Sequence, residues 1–363
     1  MTDLKVAVVG CGKFADAHIE EIGKLGRATV VALCDRELLL AEQAAMRYRV
    51  PAFYDDFDRL LERERPDVVH ITTPPASHLP LGARAIEAGA HVFVEKPFTP
   101  TLAESQELVA KAERAGKKLT IGWSYLFEPT TIIMREMLAS GAIGEVVHVE
   151  SVFGSDLSGP FGAALLGDGD HWVHRLPGKL FHNNIDHVLS RLLELLDVDM
   201  PDVHALAFLR REKRFGDARD ELHDELRMTL GGRRMTAHGV FTTTAKPTPN
   251  HLRIYGTKNT VSVDYVKSTT TLDAAPRLPS AIGRLMPAFD QAMAYLREGG
   301  RNARRFARSE FQFFSGLSEL TRRFHESIVG GTPQPIPNKD ILRVGGMIDE
   351  IVRQSRPRAE KAA

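Results

Sequence analysis

Short apolar runs alternate with amphipathic stretches through the first third of the chain. Val6–Gly10, Val30–Asp35, Val68–Thr72, His91–Val94 and Leu119–Ile121 read as strands. Between them, Leu38–Tyr48, Phe57–Glu64, Leu79–Ala88 and Leu102–Ala115 carry apolar residues at helical spacing. Thr101-Leu102-Ala103-Glu104 has the spacing of a capping box that opens the last of these helices, and Gly116 is placed to end it. Strictly alternating strands and helices predict a doubly wound parallel sheet.

The pattern changes after residue 122. Pro129–Ala139 reads as a helix and leads into the turn Ser140-Gly141-Ala142-Ile143-Gly144. Alternating stretches follow at Glu145–Phe153, Val203–Phe208, Glu225–Leu230, Met235–Thr243, Leu252–Gly256 and Thr260–Tyr265. Neighbouring strands joined by short turns predict an open, largely antiparallel sheet. The expected architecture is an α/β domain over residues 1–123 and an α+β domain over 124–363, without a fixed-period repeat and with a disordered tail after Ser355. Between Pro276 and Arg308, Ile282, Leu285, Met286, Phe289, Met293, Leu296 and Phe306 are interleaved with six arginines. Such a basic amphipathic helix can lie on an anionic membrane or grip a polyanion. The preferred reading is a surface helix packed on its own domain.

The first strand runs into Gly10-Cys11-Gly12-Lys13-Phe14-Ala15, and the second ends at Asp35. Strand, glycine turn, helix and an acid about twenty residues on form the dinucleotide-binding fingerprint. Gly10 would allow the tight turn and Gly12 the close approach of a pyrophosphate, with Ala15 as the small packing residue. The pyrophosphate would rest on the amides of the helix that starts near Lys13. Asp35 would accept hydrogen bonds from the adenosine ribose and repel a 2′-phosphate, which favours NAD. Arg36 beside it keeps NADP open.

The bulk composition narrows the possibilities. The 47 basic and 47 acidic residues cancel, which argues against a general nucleic-acid binder. A hydrophobic content of 43% with 26% charged residues is ordinary for a soluble protein, and 363 residues suffice for two cores. No apolar stretch approaches the roughly twenty residues of a membrane helix. The N-terminus leads directly into a strand without an export signal. The two cysteines, Cys11 and Cys34, point to a reducing compartment and a cytoplasmic location. Helix-end amides could lower the Cys11 pKa; a small turn residue is the preferred reading.

His91-Val92-Phe93-Val94-Glu95-Lys96-Pro97 places an ammonium where a Rossmann strand meets its ligand edge. A lysine there can help withdraw a hydroxyl proton as hydride leaves the adjacent carbon. Thr73-Pro74-Pro75-Ala76-Ser77-His78 is similar to a Thr-Pro-Asn-x-x-His loop. Glu87-Ala88-Gly89-Ala90-His91-Val92 with Glu95-Lys96-Pro97 is similar to a Glu-Ala-Gly-Lys-His-Val and Glu-Lys-Pro signature. Through these motifs and the 140–146 turn, the chain resembles the Gfo/Idh/MocA oxidoreductases, closely up to about residue 150 and more loosely beyond. The resemblance implies a nicotinamide cofactor, a carbohydrate-like substrate between the domains and a homodimer or homotetramer. It also implies cofactor contacts from Gly10 to Phe14, Asp35, Arg36, Thr73, Pro74, His78, Glu95, Lys96 and Trp123.

The same resemblance assigns acid–base work to an Asp-x-x-x-His helix motif beside the lysine. Here it reads Asn183-Asn184-Ile185-Asp186-His187, ahead of an apolar helix expected over Val188–Leu196. Positions 183 and 187 share a helical face, whereas Asp186 points about 100° away. His187 is suited to proton transfer near neutrality; Asn183 can orient a hydroxyl but supplies no negative charge. The family's Tyr-Arg-Phe is altered to Tyr125-Leu126-Phe127. His171-Trp172-Val173-His174, after Asp168 and Asp170, could be read as a metal cluster. It is preferred as a sugar-facing loop with no metal, so Tyr125, His171, Trp172, Asn183, His187 and Lys96 are the substrate candidates. The expected activity is NAD-dependent oxidation or reduction of a sugar, cyclitol or sugar derivative. An NAD-retaining glycosidase and a non-catalytic nucleotide or sugar sensor are the alternatives.

Overall fold

The structure is a computed structural model that describes residues 3–210, 214–215, 218–219, 222–275, 281–312 and 315–355. The chain forms two compact units. The first comprises residues up to Ser124 together with Gly316–Gly346, and the second comprises Tyr125–Ser315 and the chain from Met347 onward. This corrects the expected division, which assigned all of 124–363 to one domain. The reason is physical. Helix α10 (Ser315–Gly330) buries Leu317, Leu320 and Phe324, and the Lys118 ammonium donates to the carbonyls of Ser327 and Thr332.

The first unit holds six parallel strands: β1 (Leu4–Val9), β2 (Ala28–Cys34), β3 (Ala52–Tyr54), β4 (Val68–Ile71), β5 (His91–Val94) and β6 (Leu119–Ile121). Their order is β3-β2-β1-β4-β5-β6, the doubly wound arrangement expected. The crossovers are α1 (Lys13–Gly23), α2 (Leu38–Tyr48), α3 (Phe57–Glu64), α4 (His78–Glu87) and α5 (Leu102–Arg114). Thr101 and Glu104 close the capping box at α5. β3 escaped the sequence reading, because three partly exposed residues make too short a pattern.

The second unit opens with α6 (Pro129–Ala139), β7 (Val146–Gly154), α7 (Pro160–Gly167) and α8 (Lys179–Leu189). Strands β8 (Asp202–Phe208), β9 (Arg214–Phe215), β10 (Ala218–Arg219), β11 (Glu225–Gly231), β12 (Thr236–Thr242), β13 (Asn250–Gly256), β14 (Asn259–Asp264) and β15 (Thr269–Ala274) follow. Seven of them form one sheet in the order β15-β14-β13-β7-β12-β11-β8. Only β7 and β12 pair in parallel, so the sheet is largely antiparallel as expected. β15 was not anticipated because its run of threonines carries no apolar alternation. α9 (Ala281–Ala307) and α11 (Asn338–Ser355) complete the chain. The expected disordered tail and residues 276–280 lie outside the described residues.

Helix α9 packs on its own unit, as expected. Glu298 accepts the Thr270 amide and Asn302 donates to the carbonyls of Lys267 and Ser268, which seats one face on β15 and its entry turn. Leu285, Phe289, Met293 and Leu296 nevertheless remain exposed, Phe289 at 62%. The apolar stripe is therefore not what packs on the domain. Among the described residues, no helix is long and apolar enough to cross a membrane.

Candidate functional site

In the first unit, β1 hands the chain to Gly10 at φ +94°. A Cβ there would lie 2.7 Å from Thr73 Cγ2 and 2.9 Å from the Thr73 amide nitrogen, so packing and backbone both demand glycine. Gly12 differs. It caps α1 at φ −78° without a side-chain cap, and an added Cβ would meet nothing within 4 Å. The protein's own packing thus does not require Gly12; the open space lies at unclaimed helix-end amides, where a phosphate binds.

Asp35, just past β2, accepts the Cys11 amide at 2.7 Å and the Glu37 amide at 3.0 Å. These two bonds aim and hold the carboxylate beside the glycine turn. Arg36, Lys13 and Phe14 are exposed around it. Burial, reinforced by the Asp35 charge, pushes the Cys11 thiol up to about 12. The helix-end amides therefore do not activate it, and Cys11 is a small turn residue. This open cradle and anchored acid fit a dinucleotide.

The Thr73–His78 loop and the strand-β5 exit are tied together by His78. Its Nδ1 and Nε2 face the carbonyls of Phe98 and Thr73 at 2.9 and 2.7 Å. Burial holds its pKa down, so a neutral ring donates to one carbonyl at a time. With 0% exposure, His78 braces the Thr73 loop against the segment after β5 and presents no surface of its own. Trp123 is likewise buried, at 2% exposure. Glu95 is buried beyond β5 and accepts the Lys96 amide at 3.1 Å, while Lys96 itself is half-buried. The Lys96–Pro97 bond is cis.

In the second unit, Asn183 and His187 stand one turn apart on α8, Asn183 buried and His187 half-buried. The motif lies within the helix, which began at Lys179 and ends at Leu189, so the helix expected over Val188–Leu196 is displaced toward the N-terminus. The turn that follows is 3₁₀ over Ser190–Leu192. The His187 ring packs against Phe153 at 4.5 Å and edge-on to Tyr125 at 5.1 Å. Beneath it is a residue the sequence reading missed. Arg191 is fully buried, donates to the His187 carbonyl and, at 2.8 Å, to Asn250 Oδ1, and lies over the rings of Tyr125 and Tyr265. Asn250 in turn donates to the Tyr125 hydroxyl at 2.9 Å. A lone arginine four residues past His187, inside an apolar run, was the available signal.

His171 meets Phe161 edge-on and lies tilted against Trp172, and His174 meets the Leu165 carbonyl. Among the described residues, no three histidine, cysteine or acidic side chains converge on a point that could hold a metal.

Strand order, glycine cradle and anchored acid define the first unit as a dinucleotide-binding fold. A family model described as an oxidoreductase family with an NAD-binding Rossmann fold matches residues 4–123, and the GFO/IDH/MocA C-terminal domain matches residues 132–262. The chain belongs to the GFO/IDH/MocA oxidoreductase family, and NAD is the cofactor of its Rossmann domain. It is 33% identical over 152 residues to dTDP-3,4-didehydro-2,6-dideoxy-alpha-D-glucose 3-reductase of Saccharopolyspora spinosa, covering 42% of this chain and 46% of that one. It is 28% identical over 287 residues to glycosyl hydrolase family 109 protein 2 of Shewanella sp. strain ANA-3, covering 71% and 62%. The matched stretches span less than two thirds of either relative. Among solved structures, levoglucosan dehydrogenase with NADH and levoglucosan has the same fold, with a TM-score of 0.80, 16% identity and coverage of 98% and 97%.

Proposed function

We propose that this protein is an NAD-linked dehydrogenase or reductase that acts on a hydroxyl of a sugar, cyclitol or sugar derivative. The observation that carries the reading is the Asp35 carboxylate, held by the Cys11 and Glu37 amides beside an open, uncapped helix end. A fixed anionic acceptor suits a ribose diol and opposes a 2′-phosphate, although the exposed Arg36 leaves NADP open to test. The sugar-acting names of the relatives support the substrate class.

NAD, when bound, supplies the nicotinamide ring that accepts or returns hydride. The chain's own residues move the proton. His187 takes it from the substrate hydroxyl, and Lys96 is assigned to assist the proton transfer. Asn183, one turn before His187, orients the hydroxyl or the imidazole through its amide. Arg191 and Tyr125 fix the ring from below, and His171 with Trp172 offers an aromatic face to a sugar. We place the enzyme in the cytoplasm as a homodimer or homotetramer. Leu206 (64% exposed) and Phe208, adjacent on one face of β8, support assembly through the open sheet.

The test is incubation of the purified protein with NAD or NADP and a panel of sugars, cyclitols and nucleotide-sugars, following reduced nicotinamide absorbance. A rise with NAD and one compound class is expected. Substrate cleavage with no net reduced nicotinamide, or nucleotide binding with no turnover at all, would replace this reading.

A further inference from the structure

Three buried histidines of the first unit form a continuous line with Glu95. Glu95 Oε1 lies 3.0 Å from His18 Nε2; His18 Nδ1 lies 2.8 Å from His70 Nδ1; His70 Nε2 lies 3.0 Å from His325 Nε2. The residues come from the exit of β5, from α1, from β4 and from α10. Phe93 stacks on His70 at 4.6 Å, and Phe324 meets Phe93 edge-on, so the line runs through an apolar wall.

The ends of the line differ. Glu95 follows the last residue of β5, at the ligand edge of the sheet. His325 lines a pocket of about 470 Å³ with Leu4, Ala28, Arg27, Arg322 and Glu326. Leu4 opens β1 and Ala28 opens β2, so this pocket lies at the opposite edge. His325 is 4% exposed, and its Nδ1 has no hydrogen-bond partner among the described residues.

Hydrogen counting permits two complete arrangements. With Glu95 ionised and three neutral rings, His18 Nε2–H donates to Glu95, His70 Nδ1–H to His18 and His325 Nε2–H to His70, leaving His325 Nδ1 bare. A proton added at that nitrogen can be passed ring by ring. Glu95 then becomes the carboxylic acid and donates to His18, and every ring has exchanged tautomer. One proton enters, one O–H bond forms at Glu95, and no imidazolium remains. We propose that Glu95, His18, His70 and His325 are a proton path that sets the charge of Glu95 from the pocket at the far edge of the sheet.

Burial favours passage over storage. It holds His70 well below the ordinary histidine range and His325 at about 4, so a charge resting on either ring is costly. The charged groups facing the pocket end are Arg27, Arg322 and Glu326, and Arg322 is already paired with Glu319 and Glu326. At the other end, Glu95 is the immediate neighbour of Lys96. The consequence for catalysis rests on the function proposed above: a neutral Glu95 removes one negative charge from beside the lysine assigned to proton transfer.

The test reads tautomers and needs no turnover, so its failure is separable from failure of the dehydrogenase assignment. The full chain, labelled with ¹⁵N-histidine, is followed by long-range ¹H–¹⁵N correlation as pH is lowered. Single His18→Gln, His70→Gln and His325→Gln variants assign the rings. The expected result is one shared transition in which the protonated nitrogen moves from Nε2 to Nδ1 in His18 and His325 and from Nδ1 to Nε2 in His70. Loss of that transition for His18 and His70 in His325→Gln would further support the path. Rings that become imidazolium one at a time, or keep their tautomers until the fold is lost, would overturn it.

Discussion

Gly10 and Gly12 stand two residues apart in one turn, yet the structure demands glycine at them for different reasons. Alanine at position 10 must hold φ +94°, which costs roughly 1–3 kcal/mol. Its Cβ also meets Thr73 Cγ2 at 2.7 Å and the Thr73 amide at 2.9 Å, and overpacking of this kind adds about 1–3 kcal/mol. The expected loss for Gly10→Ala is therefore about 2–6 kcal/mol, much of a typical stability of about 5–15 kcal/mol. At about 2–4 °C per kcal/mol, the melting temperature should fall by roughly 4–24 °C. Gly12→Ala meets open space at φ −78°. Losing glycine as a helix cap and gaining a less flexible unfolded chain nearly cancel, leaving stability within about 0.5 kcal/mol. Its effect belongs to the ligand: crowding a charged phosphate away from helix-end amides costs about 1.5–3 kcal/mol, or roughly 10- to 150-fold in NAD affinity. Thermal melts and NAD titration by intrinsic fluorescence on both variants test this. A Gly12→Ala protein that binds NAD normally would refute the phosphate cradle, and a Gly10→Ala protein that melts like the parent would refute the steric account.

Lys96→Met should lower turnover by about 10²- to 10⁴-fold with NAD affinity nearly unchanged, checked by steady-state kinetics beside a binding titration. Arg191→Met strands the His187 carbonyl and Asn250 Oδ1 in a buried site, and denaturant unfolding should show a loss of about 2–4 kcal/mol. His182 is fully buried, and burial lowers its pKa to about 4 from an ordinary value near 6.5. It binds a proton more readily unfolded, so its contribution is whole above about pH 6.5 and is lost as pH falls toward 4. Denaturant midpoints measured across that window should fall, and His182→Leu should make the slope shallower by up to about 1.4 kcal/mol per pH unit.

The nucleotide half of this protein was legible because its signals are local. A positive-φ glycine, a helix start and an acid closing the next strand lie within one βαβ turn, and the Thr73–His78 and Glu95–Pro97 loops carry recognisable residues at strand ends. The return of residues 316–346 to the first unit was not legible, since a contact between segments about two hundred residues apart leaves no periodicity. The histidine line was hidden for the same reason: His18, His70 and His325 each look like an ordinary core histidine, and only tertiary packing aligns them. Asn183 and His187 were identified correctly as a shared helical face, but their helix was placed too late because Lys179–Asn184 is polar enough to read as a loop. Thr269–Ala274 shows the limit of periodicity itself, as a strand of threonines has no apolar face to detect.

The split of the first unit across the chain bears on how the protein is made. A ribosome finishing β6 has delivered all six strands, but the helix that covers Phe93 and receives the Lys118 ammonium is still nearly two hundred residues away. At about 5–20 residues per second, that interval is roughly ten to forty seconds. During it, the apolar surface awaiting Leu317, Leu320 and Phe324 stays uncovered, while Tyr125–Ser315, a compact unit lacking only its C-terminal stretch, emerges in between. The two units are thus interleaved in synthesis: the first waits for Gly316–Gly346, and the second waits for the stretch from Met347 onward. The unit that begins first closes only once Gly316–Gly346 has emerged, so a transcript cut short after the Rossmann strands yields a sheet with one face uncovered rather than a free-standing nucleotide-binding module.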